Sequence, residues 1–343
     1  MKLAITKNTI LSLSILIGSM TTIHAQQDKH FSMFQYSKSQ INPAAAGFFE
    51  GDYQLFTNFR NQWMTVSDNP FRTISAAFDT RFEAGNGHIG AGLNFHNDLS
   101  GDALYSVTQI SLPINYNVSL NRTTNLAFGL APAFYQRSLK NANTTWDNQW
   151  TGIEFNTTVN NNENIPIENY SLGKFDLGAG IYFQTELSKL SWFSIGVSAQ
   201  HLTKQKISYY NAEEGLYRRL TFSAHGNFNQ RNSSFTLKPN GMMFFQGPNK
   251  MFILGSGFDF EIKGNSRVTG FHKKTSIEFG TYYRFGDAFI INAIFHMSGL
   301  GIGASFDINT STLSNASGGF GAMEFFLSYR LSKPRGLGTP SIH

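Results

Sequence analysis

From Tyr53 onward, apolar side chains recur at every second position. Ile89, Ala91, Leu93 and Phe95 alternate with Gly90, Gly92 and Asn94, while Leu300, Ile302, Ala304, Phe306 and Ile308 alternate with Gly301, Gly303, Ser305, Asp307 and Asn309. Successive strand side chains point to opposite faces, so this period predicts strands with one apolar face. The spans 52–60, 71–82, 88–97, 103–116, 124–137, 174–186, 192–200, 218–230, 234–246, 250–261, 275–285, 288–297, 300–309 and 319–331 carry it, which makes about 14 crossings, an even number as bacterial barrels require.

A soluble sandwich also alternates, so the polar face has to decide between the two. In a sandwich that face meets bulk water. Here it is built of Gly, Ser and Asn with isolated charges at Asp176, Glu278, Arg284, Glu324 and Arg330, which suits a lumen where sparse opposite charges can pair. The expected fold is all-β, a transmembrane antiparallel outer-membrane β-barrel. Every odd connection would lie outside the cell, the two largest being 138–173 and 201–217. The first contains Asn160, Asn161 and Asn162, and its core is too poor in apolar residues to fold alone; it is expected to be mobile or to bind a partner. Trp63, Phe71, Trp192, Tyr209, Tyr210, Tyr282, Tyr283 and Tyr329 stand near strand ends, where an interfacial girdle would sit. On this register Arg at Leu93 or Ile302 would meet lipid, and Gly301 or Asn94 would accept polar change more readily.

The start of the chain has a different pattern. Lys2 and Lys7 precede an apolar run over 10–20, and Ile23 and Ala25 occupy the specificity positions before Gln26, the layout of a secretory signal peptide cleaved after Ala25. Residues 26–51 lack strand patterning and hold Phe31, Phe34, Tyr36, Asn42 and Pro43. Such a segment could plug the barrel mouth, dock on a periplasmic neighbour or hang as a loose tail. The barrel would occupy 52–331, with Arg60 and Trp63 ordering its first strand and outer loop, and 332–343 would form a polar tail.

Composition sharpens this picture. Charged residues are 14% of the chain and aromatic residues 15%, against roughly 25% charged in soluble domains. A mean hydropathy of −0.22 argues against several helical spans, each needing about 20 apolar residues. Removing Lys2 and Lys7 takes the formal charge from +5 to +3, and no basic run interleaved with aromatics suggests a nucleic-acid groove. Without cysteine there are no disulfides or thiolate nucleophiles. Residues 85–90 read GNGHIG, formally a dinucleotide-binding glycine pattern, but a strand rather than a helix follows, so a hairpin turn is expected. The histidines form no i, i+4 pair for a metal. His296 is the best placed for a general base, yet no serine stands out as its partner. No enzyme activity, metal or cofactor is expected.

Particular residues also carry a resemblance. QDKHFSMFQYSKSQINPAAAG (27–47), NFRNQW (58–63), SAAFDTRF (75–82), GAGLNFHNDLSGD (90–102), FDLGAGIYF (175–183), HLTKQ (201–205), LKPNGM (237–242) and FFLSYRL (325–331) resemble the PorP/SprF family of the Bacteroidota type IX secretion system, over essentially the whole chain after the signal peptide. The resemblance implies an outer-membrane barrel that works beside the periplasmic PorK and PorN ring, receives or anchors secreted adhesins with type B C-terminal domains, and serves gliding motility. Phe31, Phe34, Tyr36, Asn42 and Pro43 would then be candidate machinery contacts. The loop at 138–173 is longer than is common in the family and points to one particular cargo. The competing expectation is a channel for small solutes.

Overall fold

A computed structural model describes residues 28–101, 104–139, 145–156, 158–160, 170–205, 215–230, 232–263 and 275–332. Its strands are β1 (Tyr53–Gln62), β2 (Phe71–Ala84), β3 (Gly87–Ser100), β4 (Tyr105–Ser111), β5 (Ile114–Ser119), β6 (Thr124–Leu139), β7 (Tyr170–Ser188), β8 (Ser191–Gln200), β9 (Arg219–Asn229), β10 (Phe235–Gln246), β11 (Asn249–Lys263), β12 (Thr275–Arg284), β13 (Ala288–Met297), β14 (Leu300–Asn309) and β15 (Phe320–Leu331). Each crossing pairs antiparallel with the next, and β1 closes on β15 from Tyr53↔Leu331 to Gln62↔Ala322. Segments β4 and β5 both lie between β3 and β6, so they are halves of one crossing in a closed 14-strand barrel. Pro113, which lacks an N–H, marks the break. Its carbonyl still accepts from Gly92 N (2.8 Å), and Leu112 N donates to Pro132 O (3.0 Å). Closure leaves no unpaired strand edge, which is what allows strands to cross a membrane.

The alternation read from the sequence is the alternation of the wall. Leu55, Phe78, Leu93, Ile195, Phe279 and Ile302 are exposed, whereas Asn58, Asp79, Asn94, Glu278, Asp307 and Glu324 are buried inside. GNGHIG forms the β2–β3 turn, with Gly85 at φ 58°. One end of the barrel carries the turns 85–86, 189–190 and 298–299 and the 264–274 connection, together with the entry to β1 and the exit from β15; the other carries the two longest connections, 140–169 and 201–218, along with the short turns 247–248 and 285–287. We call these the turn end and the loop end.

Three expectations change. Trp192 does not join a girdle: Lys38 lies over its ring at 4.5 Å, inside the barrel. Tyr282 is likewise internal, almost wholly buried, and accepts a hydrogen bond from Asn240 Nδ2 (3.2 Å); Tyr209 and Tyr210 fall outside the described residues. In the 138–173 connection, β6 and β7 extend to Leu139 and Tyr170, and the segment 145–160 folds back on itself. A 3₁₀ turn at Asp147–Gln149 is followed by a Trp150↔Phe155 bridge, with the two rings 4.9 Å apart.

Candidate functional site

The lumen is occupied by the chain's own N-terminal segment. At the turn end Asp52 N donates to Leu331 O (2.9 Å) and Arg81 Nη1 to Phe49 O (3.3 Å). Further in, Asn115 Nδ2 donates to Ala46 O (2.7 Å). Asn42 caps the 3₁₀ turn Pro43–Ala45, its Oδ1 accepting from Ala44 N (2.9 Å), with Pro at the first position where no N–H is needed. Its Nδ2 reaches Ile181 O (2.9 Å). Two inward glycines make this fit, because a Cβ at Gly129 would collide with the Ala44 backbone and one at Gly180 with the Asn42 side chain. The small-residue inner face is thus the space the segment fills.

Next come a short helix, Lys38–Ile41, and the residues above it. Ser39 Oγ donates to Asp79 Oδ2 (2.9 Å), and Asn94 Nδ2 donates to Ser39 O (3.2 Å). Tyr36 Oη donates to Glu278 Oε2 (2.6 Å) while its ring packs on Phe326 at 4.6 Å. Phe34 joins the buried cluster of Met242, Phe244, Met251, Ile253, Tyr282 and Ile290, and Phe31 stacks on His96 at 6.0 Å.

Towards the loop end the segment meets two charge networks. In the first, Arg60 reaches Glu324 Oε1 (2.5 Å) and Asp307 Oδ2 (3.0 Å), and Arg284 Nη2 shares Asp307 Oδ2 (2.6 Å). Two buried guanidinium groups thus balance two buried carboxylates, all four from the wall, which avoids the penalty of an unpaired charge. Ser32 sits at the hub: its Oγ donates to Asp307 Oδ2 (2.8 Å) and its N–H to Glu324 Oε1 (2.6 Å).

In the second, His201 follows β8 at φ 58° and is almost wholly buried. Its Nδ1 lies 2.6 Å from Asp176 Oδ2 and its Nε2 2.6 Å from Asp28 Oδ2. An ionised carboxylate only accepts, so two such contacts require an imidazolium that donates from both nitrogens. Burial opposes that charge, but Asp28 and Asp176 raise the His201 pKa to about 9. Burial likewise opposes ionisation of Asp28, and His201 and Arg219 overcome it, holding the carboxyl well below the usual range. Arg219 Nη1 also donates to Lys29 O (3.1 Å), and Gln246 Oε1 accepts from Asp28 N (2.9 Å). The segment therefore runs from the turn end to the loop end. It leaves a cavity of about 60 Å³ lined by Lys29, His96, Gln109 and Gln200, among others.

The residues singled out by sequence fall in three places. Phe31, Phe34, Tyr36, Asn42 and Pro43 are inside the barrel, bonded to or packed on its wall, and Arg60 is buried beside them. Trp63 stands at the loop-end rim, edge-on to Phe71 at 4.9 Å. Asn160 is on the exposed loop, its carbonyl accepting from Asn148 Nδ2 (3.0 Å); Asn161 and Asn162 lie outside the described residues. His296 faces Glu278 at 3.4 Å in the lumen. Among the described residues no group of three or more metal-ligating side chains assembles. Sequence reasoning missed the exposed apolar set on the loop, Trp150, Ile153, Phe155 and Val159, with Ile153 89% exposed. Four large apolar residues within an Asn-rich loop were the available signal.

Residues 23–329 match the family described as type IX secretion system membrane protein PorP/SprF. No curated protein matches the chain. Among solved structures, the toluene transporter TbuX of Ralstonia pickettii is similar at 10% identity and a TM-score of 0.50, covering 85% of this chain and 92% of its own. The CymD monoaromatic hydrocarbon channel reaches 8% identity and 0.49, with 87% and 93% covered. A Pseudomonas aeruginosa FadL homologue reaches 11% and 0.46, with 84% and 91% covered. At these identities the likeness is one of barrel fold.

Proposed function

The chain belongs to the PorP/SprF family of type IX secretion system membrane proteins, and from that membership we propose that it is a plugged, non-enzymatic barrel that receives or anchors secreted cargo at the cell surface. Family and fold together give it a secretion-related role in the outer membrane. In bacterial barrels short turns face the periplasm and long loops the outside, so the loop end is the cell-surface end. The single observation that carries the cargo reading is the apolar face of the 145–160 loop. Trp150, Ile153, Phe155 and Val159 are exposed there, Trp150 and Phe155 packed on each other, and exposed apolar side chains gathered on one loop fit a protein partner. Asn160 lies on the same described segment, and Asn161 and Asn162 follow it in sequence. The cargo is an adhesin carrying a type B C-terminal domain, and gliding is the process it serves.

Periplasmic components of the PorK and PorN type meet the turn end. The N-terminal aromatics are taken up by the barrel wall, so docking falls to the turns and to residues 332–343. The chain reaches the outer membrane after Sec-dependent export and removal of the signal peptide near Ala25.

Replacing Ile153 and Phe155 with Ser tests the reading. Surface display of one adhesin, followed by labelling of intact cells, should fall at least tenfold while the barrel still reaches the outer membrane. Recovery of the adhesin's C-terminal domain with the wild-type chain, and not with the variant, completes the expectation. Unchanged display together with steady conductance of the wild-type chain in planar bilayers would favour a solute channel instead.

A further inference from the structure

Along the outer face of the barrel the strands present apolar side chains, as lipid requires. Among the strand residues whose side chains are described, the charged ones on that face are Arg72 and Lys250, both cations, both exposed and both at the loop end. Around Arg72 the departure from an apolar face is broad. The register sets Asn61 beside Arg72 and Arg72 beside Leu99; one step towards the bilayer, Phe59 lies beside Ile74 and Ile74 beside Asn97. These six residues line a crevice of about 460 Å³ on the outside of the barrel.

The crevice has two chemistries. Phe59 and Ile74 are exposed apolar residues on its bilayer side, and Asn61 and Arg72 stand on its rim side. Asn97 Nδ2 donates to Ser106 Oγ (3.0 Å) and Thr108 Oγ1 (2.9 Å), leaving both hydroxyl hydrogens free to donate outwards. Among the described residues no carboxylate lies within ion-pair reach of Arg72. Trp63, just past the end of β1, and Phe71, at the first position of β2, pair edge-on at the adjoining rim, the level at which aromatic side chains meet headgroups.

We propose that this crevice binds a phosphate-bearing lipid of the outer leaflet. Its phosphate would take the Arg72 guanidinium, whose planar fork matches phosphate oxygens, and an acyl chain would lie over Phe59 and Ile74. Charge complementarity selects this occupant. Among the described residues the site offers a cation and neutral donors but no acid beside them, with an apolar floor running on towards the hydrocarbon. A protein segment would leave the guanidinium without its partner unless it brought an acid to the same depth.

The test uses the full mature chain purified in a neutral detergent, with bisphosphorylated lipid A as probe and retained lipid read by native mass spectrometry. Wild type is expected to hold lipid A, Arg72→Gln to hold it roughly tenfold less, the scale of one charge-assisted contact, and Lys250→Gln to match wild type. Heat-modified gel migration, reading the closed barrel, should be the same for all three. Equal retention by Arg72→Gln overturns the proposal. So does equal binding of dephosphorylated lipid, which would leave only an apolar groove, or full displacement by millimolar inorganic phosphate, which would make this an ion site with no role for the chain.

Discussion

His201 holds the loop-end part of the N-terminal segment in place by bridging Asp28 of that segment and Asp176 of β7. Its raised pKa of about 9, against 6.5 for a free imidazole, means that this stabilisation is complete below about pH 6.5 and lost as pH climbs through 9. Asp28 is depressed instead, so its share is present above its ordinary value of 3.8 and lost only in stronger acid. Limited proteolysis of the N-terminus in detergent should therefore stay slow from about pH 4 to 8 and accelerate above about 9. His201→Leu should cost about 3–5 kcal/mol, because Asp28 and Asp176 are left buried and unpaired; denaturant unfolding measures it. On the outer face, Leu93→Arg or Ile302→Arg should cost about 2–4 kcal/mol near mid-bilayer. The inner face is no more tolerant, contrary to the sequence expectation: Asn94 is bonded to Ser39, and a Cβ at Gly301 would crowd Ser328 and His296.

At the scale of elements, strands were legible and the plug's path was not. A period of two is a local signal, and it located strands such as Leu300–Asn309 to the residue, because each side chain's face depends only on its neighbours in sequence. Ser32 meets Asp307, 275 residues away, and His201 meets Asp28 across 173; no spacing rule connects such pairs. The inward glycines are visible in the sequence and suit a lumen, but no local pattern shows that the chain itself fills the space beside Gly129 and Gly180. Trp192 shows the same limit, since a tryptophan near a strand end reads as girdle until the Lys38 beneath it is known. Enlarging Gly129 to Leu should push the segment off the wall at Ala44. Deleting 28–46 should open the lumen to steady ionic conductance in planar bilayers, with the closed wild type as reference. The Arg60, Arg284, Asp307 and Glu324 set is neutral without the segment, so the emptied barrel should still fold.

At the scale of the whole molecule, the two ends differ in chemistry. The loop end presents an apolar loop, outward cations and a charge latch, and the turn end presents tight turns and both chain junctions. Removing 145–160 should abolish cargo display while leaving heat-modified migration unchanged, since that segment bonds chiefly to itself. The axial course of residues 28–52 also constrains how the molecule is made. Met33, Phe34 and Tyr36 touch walls formed by β1, β10, β12, β13 and β15, and β1 meets its last neighbour only when β15 has been delivered. A rod tied to the ring at one point can be laid in place while the ring is still parted, sparing a folded segment the passage through a closed lumen. An insertion intermediate with that seam open is then expected to leave residues 28–52 accessible to a protease.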